Sequence, residues 1–85
     1  MGLELEEVVI RIEEEFDISI PDEDAMVITT PRQYIEYLMA RSELVGRRSR
    51  DAVAESVWQT LESVIGIERT DFTEDSRFIE DMGAG

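Results

Sequence analysis

The stretch "LELEEVVIRIEEEF", Leu3 to Phe16, constrains this chain more than any other. Leu5, Val8, Val9, Ile12 and Phe16 recur at helical spacing and make one apolar stripe. Glu4, Glu7, Arg11, Glu14 and Glu15 fall on the opposite face, where Arg11 can pair with Glu7 and Glu15 at i,i+4. Ile10 lies at the border of the acidic face and is expected to be a partly exposed apolar spot among carboxylates. Such a helix must bury its stripe against other helices. Ile18 and Ile20 alternate over too few residues for a sheet, and Pro21 interrupts them. The expectation is an all-α fold, a four-helix bundle of three longer helices and one short.

The other helices carry their own boundaries. "PDEDAMVI" reads as the short helix, with Pro21 and the acids Asp22, Glu23 and Asp24 suited to its positive N-terminal end. Thr30, Pro31 and Gln33 form a T-x-x-Q capping box with proline at the first helical position, opening a helix to about Ser42 that buries Tyr34, Ile35 and Leu38. "VGRRSR" is a basic, glycine-containing linker. Ser49 can cap the last long helix, Arg50 to Ile65, with Val53, Val57, Leu61, Val64 and Ile65 inward, and Gly66 then Ile67 match a helix stop. The final "ERTDFTEDSRFIEDMGAG" is a long loop with Phe72, Phe78 and Ile79 as expected anchors. A loop of this length in a small domain is functional or part of an element completed elsewhere.

At 85 residues there is room for one modest core. Eight basic against twenty-one acidic residues leave a net charge of −13, which repels nucleic acid and anionic membrane and attracts basic protein patches. Cysteine, histidine and lysine are absent, which removes thiolate chemistry, imidazole ligands and the commonest general base. An enzyme is not expected; a binding or carrier module is. No apolar run is long enough to span a bilayer and no secretory h-region is present, so the cytoplasm is the expected location.

Several motifs fail on their chemistry. Myristoylation wants Ser or Thr where Glu6 stands. A calcium loop starting at Asp71 would put Ser76 at the glycine position and Met82 at the final glutamate position, so no metal site is assigned. Glu13 and Glu14 are adjacent, diverge on a helix, and make no acid/base pair. Trp58, Tyr34 and Tyr37 sit in amphipathic segments of a chain too acidic to stack nucleic-acid bases, and Met26 and Met39 read as core or groove fillers.

Two long segments resemble the acyl carrier protein family. "EEEFDISIPDEDAMVITTPRQYIEYL" resembles its second half: the glutamate-rich helix, the F-D-x-x-I-P-D-E-x-A loop with the short helix, and the I-T-T start of the last helix. "DAVAESVWQTLESVIGI" followed by "DFTEDSRFIEDMGA" resembles its first half: helix one, its long loop and the F-x-x-D-[LM]-G-A approach to the carrier site. The halves stand in reverse order. The resemblance therefore implies a circularly permuted domain opened at the family's D-S-L motif, with residues 1–44 matching the second half, 45–50 a linker and 51–85 the first half. A bridge of about six residues reaches up to ~20 Å at roughly 3.4 Å per residue. That spans the old termini if both lie at one end of the bundle.

The same resemblance implies a function and its loss. In the family, a serine in D-S-L carries 4′-phosphopantetheine, whose thiol holds the acyl chain of fatty-acid or polyketide synthesis. Leu3 matches the leucine, Gly2 then falls at the serine and Gly85 at the aspartate, so no cofactor is expected on this chain. A serine missing at the cut points to engineering, or to the place where the expressed chain was cut, more than to a natural carrier. Glu4, Glu7, Glu13, Glu14 and Asp22, with Ile10 among them, map onto partner-binding positions for basic patches of acyl-chain synthesis enzymes or the phosphopantetheinyl transferase. Met26 stands where the family often has another acid. Val8, Ile12, Phe16, Ile20, Ala25, Ile28 and Phe78 map onto the acyl-sheltering space, or are simply core. The alternatives are an assembly module in which the two halves swap to form a dimer, and a fragment cut from a tandem carrier array.

Overall fold

Helix α4 (Arg50–Ile65) lies at the centre because its Val53, Val57 and Leu61 stripe has helices on two sides to pack against. Its partners are α1 (Leu3–Phe16) and α3 (Pro31–Ala40). The computed structural model describes residues 3–44 and 46–84. Gly2 and Gly85, assigned above to the carrier motif, and Val45 of the linker lie outside the described residues. Short helix α2 (Asp22–Met26) bridges α1 and α3, and two 3₁₀ turns cover Ser42–Leu44 and Arg69–Asp71. The fold is all-α, with no strand among the described residues. Its radius of gyration of 11.9 Å is close to the ~12 Å expected of a compact chain this long. None of the described helices is long and apolar enough to cross a membrane.

The core follows the stripes. Val8, Ile12 and Phe16 of α1 meet Val53, Val57, Trp58 and Leu61 of α4, and Tyr34, Ile35 and Leu38 of α3 close the other side. No polar or charged residue is buried among the described residues. Val64, Ile65 and Ile67 are half-buried against this cluster, so the last turn of α4 packs less completely than the first three.

Local chemistry sets the boundaries. Thr30 accepts the Gln33 N–H at 3.2 Å, while the Gln33 side chain reaches past Thr30 to accept the Thr29 N–H at 2.6 Å. The box is therefore displaced by one residue from the usual reciprocal pair. Ser49 accepts the Ala52 N–H, and Gly66 leaves α4 in the left-handed region at φ 82°. At the end of α1 the left-handed position is held by Asp17, at φ 56°.

Four sequence expectations need correction. Helix α3 ends at Ala40 and not near Ser42. Arg41 turns to an extended backbone and folds its guanidinium onto the Tyr37 hydroxyl and the Ser19 carbonyl, and the 3₁₀ turn that follows buries Leu44. Arg11 pairs with Glu7 at 3.2 Å but not with Glu15, which is taken by Arg48 at 3.1 Å. Arg48 also stacks over the Phe16 ring and donates to the Glu15 carbonyl, so the linker fastens the end of α1. Ile79 is no anchor: it is 59% exposed, whereas Phe78, Met82 and Ala84 are buried. Met39 is exposed and is no core filler, whereas Met26, also exposed, lines a groove, one of the two places expected for it.

The long loop after Gly66 is held by arginine–carboxylate pairs in place of regular structure. Arg69 bonds both Glu55 and Glu62 of α4, Arg50 bonds Glu74, and Arg32 forks onto Asp75. The Arg32 N–H also bonds the Glu74 carbonyl, and the Phe78 N–H bonds the Thr29 carbonyl. Residues Arg77 to Ala84 then close on themselves, with the Met82 N–H on the Arg77 carbonyl and the Ala84 N–H on the Phe78 carbonyl.

Two outcomes are expected. Asp17→Gly removes both the left-handed penalty and a negative charge at a helix C-terminus, and should raise stability by ~0.5–1 kcal/mol in urea denaturation. The second concerns acid. Arg50 holds the Glu74 carboxyl below its usual range, Arg32 does so for Asp75, and Arg69 for Glu55 and Glu62. Depressed folded-state values give stability that is present above the ordinary carboxylate range and lost as pH falls through the lowered values. Tm should therefore drop as pH is lowered below about 4.5, the ordinary glutamate value. Glu74→Gln with Asp75→Asn should flatten that drop.

Candidate functional site

A groove of about 850 Å³ lies between α1, α2 and the Phe78–Glu80 segment. Its floor is apolar because three elements each turn the edge of a stripe toward it. Leu5 and Val9 come from α1, Ile20, Ala25 and Ile28 from the chain around α2, and Tyr34 and Phe78 meet beneath with ring centroids 5.8 Å apart. Burial raises the Tyr34 phenol above its usual range, and the charge of Glu13 adds to the shift.

The rim combines exposed apolar side chains with carboxylates. Ile10 is 52% exposed, Met26 80% and Ile79 59%. Glu6, Glu13, Asp22 and Glu80 stand between them, and no arginine is among the described residues lining the groove. That asymmetry has a structural cause. The arginines are drawn to the other faces, where Arg32, Arg50 and Arg69 hold the long loop and Arg48 holds the end of α1. The acids around the groove are left with little local neutralisation, since Glu80 has only an exposed contact to Arg77 at 3.6 Å.

The residues mapped to the acyl-sheltering space divide into two sets. Ile20, Ala25, Ile28 and Phe78 line the groove. Val8, Ile12 and Phe16 do not: they point from α1 toward α4 and are at most 4% exposed. Those three are core. Of the residues mapped to partner contacts, Ile10, Glu13, Asp22 and Met26 line the groove, while Glu4, Glu7 and Glu14 lie along α1 outside it. Glu7 is engaged by Arg11, and Glu14 lines a separate polar cleft with Arg11 and Ser63. Leu5, Val9, Tyr34, Ile79 and Glu80 also line the groove. The apolar spacing of α1 hinted at Leu5 and Val9, but nothing local marks the other three.

Glu13 has a structural task within the site. Its Oε2 accepts the Ile20 N–H at 2.7 Å, in a partly buried setting, and so ties the α1–α2 connection to α1. On the far side of α2, the Tyr37 hydroxyl donates to Asp24 at 2.7 Å and accepts from Arg41 at 2.8 Å. Helix α2 buries no residue completely, so these polar ties hold much of its position over the groove. Glu13→Ala leaves the Ile20 N–H without its acceptor. It should cost about 1–3 kcal/mol in denaturation and speed hydrogen exchange at Ile20.

No cluster of three or more His, Cys, Asp or Glu side chains able to hold a metal occurs among the described residues. No family model matches the chain. No solved structure matches it either. Among curated proteins, an acyl carrier protein of Chlorobium phaeobacteroides is 44% identical over 40 residues, 47% of this chain and 51% of that protein. The chain thus spans about half the length of the curated relative it matches. Over that stretch it is similar to an acyl carrier protein, and its all-helical bundle is in keeping with the similarity.

Proposed function

We propose that the chain is an acyl-carrier-like domain of fatty-acid or polyketide type, with its halves in permuted order, that no longer carries 4′-phosphopantetheine. It acts as a docking module and not as an enzyme. The observation that carries this reading is the groove itself. Leu5, Glu6, Val9 and Ile10, near the start of the chain, share it with Phe78, Ile79 and Glu80, near the end. In the family the approach segment runs directly into the glutamate-rich helix, so those two segments would be covalent neighbours. Here they meet through space.

The arm is lost because Gly2 stands where the serine hydroxyl would be, and glycine offers no oxygen to esterify. What remains is a face of exposed Ile10 and Met26 among Glu6, Glu13 and Asp22. Its partners are basic patches on acyl-chain synthesis enzymes or on the phosphopantetheinyl transferase, drawn in by charge and sensitive to salt.

The test uses coenzyme A and a phosphopantetheinyl transferase, read by intact mass and by retention on the immobilised transferase. The expected result is no added mass, with retention at low salt that is released as salt rises. A gain of the arm's mass overturns the loss of the acceptor. Absence of salt-sensitive retention overturns the docking role.

A further inference from the structure

The basic linker takes no part in the groove. Lysine is absent, so a protease that cuts after basic residues meets eight candidate bonds, and the fold treats them unequally. We propose that the Arg47–Arg48 bond is a processing site for trypsin-like endoproteases, and that the cut chain persists as a folded two-piece domain. The step is hydrolysis. Water adds to the Arg47 carbonyl carbon, the C–N bond breaks, and the new ends are a carboxylate on Arg47 and an ammonium group on Arg48.

A protease of this class takes its substrate as an extended strand, so helical or hydrogen-bonded peptide units must open first. Arg11, Arg32 and Arg50 lie in helices. The Arg41 carbonyl accepts the Leu44 N–H, and the Arg69 carbonyl accepts the Phe72 N–H. Arg77 is exposed, but its carbonyl accepts the Asp81 and Met82 N–H groups, and the residue after it, Phe78, is buried with its N–H on Thr29. Arg48 is held over the Phe16 ring and onto Glu15. Arg47 differs on each count. It is exposed, and among the described residues its guanidinium reaches only the Glu43 carbonyl, at 3.2 Å. No backbone hydrogen bond among those residues ends on its own carbonyl. Just before it, a Cβ on Gly46 would meet nothing within 4 Å, so the approach to the bond is open.

The cut leaves the core whole. Helix α4 belongs to one piece, and α1 and α3, which enclose it, belong to the other. Neither piece can bury its apolar stripes alone. The Phe78 N–H on Thr29, the Arg32 fork on Asp75 and Arg48 on Glu15 also cross between the pieces. The groove is shared as well, with Phe78–Glu80 on one piece and α1 and α2 on the other. A cut chain therefore loses the groove on dilution, and an intact one keeps it. The site stands whether or not the chain is of carrier descent.

The experiment is a brief digestion of the full chain with dilute trypsin, read by intact mass, followed by native size exclusion and thermal melts at several concentrations. The first products should be the pieces ending at Arg47 and beginning at Arg48, eluting together as one folded species. Its Tm should fall on dilution, while that of the intact chain stays constant. Arg47→Gln should slow the first cut by about tenfold or more. Arg48→Gln should keep the cut after Arg47 and let the two pieces separate at a higher concentration, since one tie between them is gone. A first cut after any other arginine overturns the site, as does an unchanged rate in Arg47→Gln. Pieces that separate at the concentration of the digest overturn the two-piece domain, as does a Tm of the cut chain that ignores dilution. None of these outcomes bears on the added-mass test, so the two readings fail separately.

Discussion

The fold depends on burying α4 between α1 and α3. Val53, Val57 and Leu61 are almost completely enclosed, and they can be so only if Val8 and Ile12 arrive from one side and Ile35 and Leu38 from the other. In a chain of 85 residues such a core leaves little surplus. Everything outside it must be held by cheaper means, and the long loop shows how. It is fastened by arginine forks onto carboxylates and by a few backbone bonds, with Phe78 as its one nearly fully enclosed aromatic.

That division of labour shapes the surface. Arginines committed to the loop and to the end of α1 are absent from the groove, and the acids around α1 and α2 are left to act outward. The charge pattern of the candidate site is thus a by-product of how the rest of the molecule is pinned. The groove exists for a related reason. Helix α2 is too short to bury a full residue, so it stands off the bundle on Glu13 and Tyr37 and leaves an apolar trough beneath.

The sequence disclosed much of this, unevenly. The caps at Thr30, Ser49 and Gly66 were legible because each is closed within a few residues of chain. The partner of Glu15 was not. Arg11 is four residues away along the helix, but Arg48, far off in sequence, is brought in by the Phe16 ring and the exposed end of α1. Ile79 misled because hydrophobicity alone does not say which way a loop residue turns. The backbone bonds between Arg77 and Ala84 face Phe78 and Met82 inward and leave Ile79 outside.

By itself, then, the sequence determined four helices, most of their boundaries, an acidic surface and a likeness to acyl carrier proteins, since all of these are written in local spacing and composition. Tertiary structure decided which apolar residues became core and which became groove. Val8 and Val9 are neighbours of equal hydrophobicity, yet one is sealed against α4 and the other opens onto the trough. A helix turns by about 100° per residue, and only the placement of its partners says which side of that turn is closed.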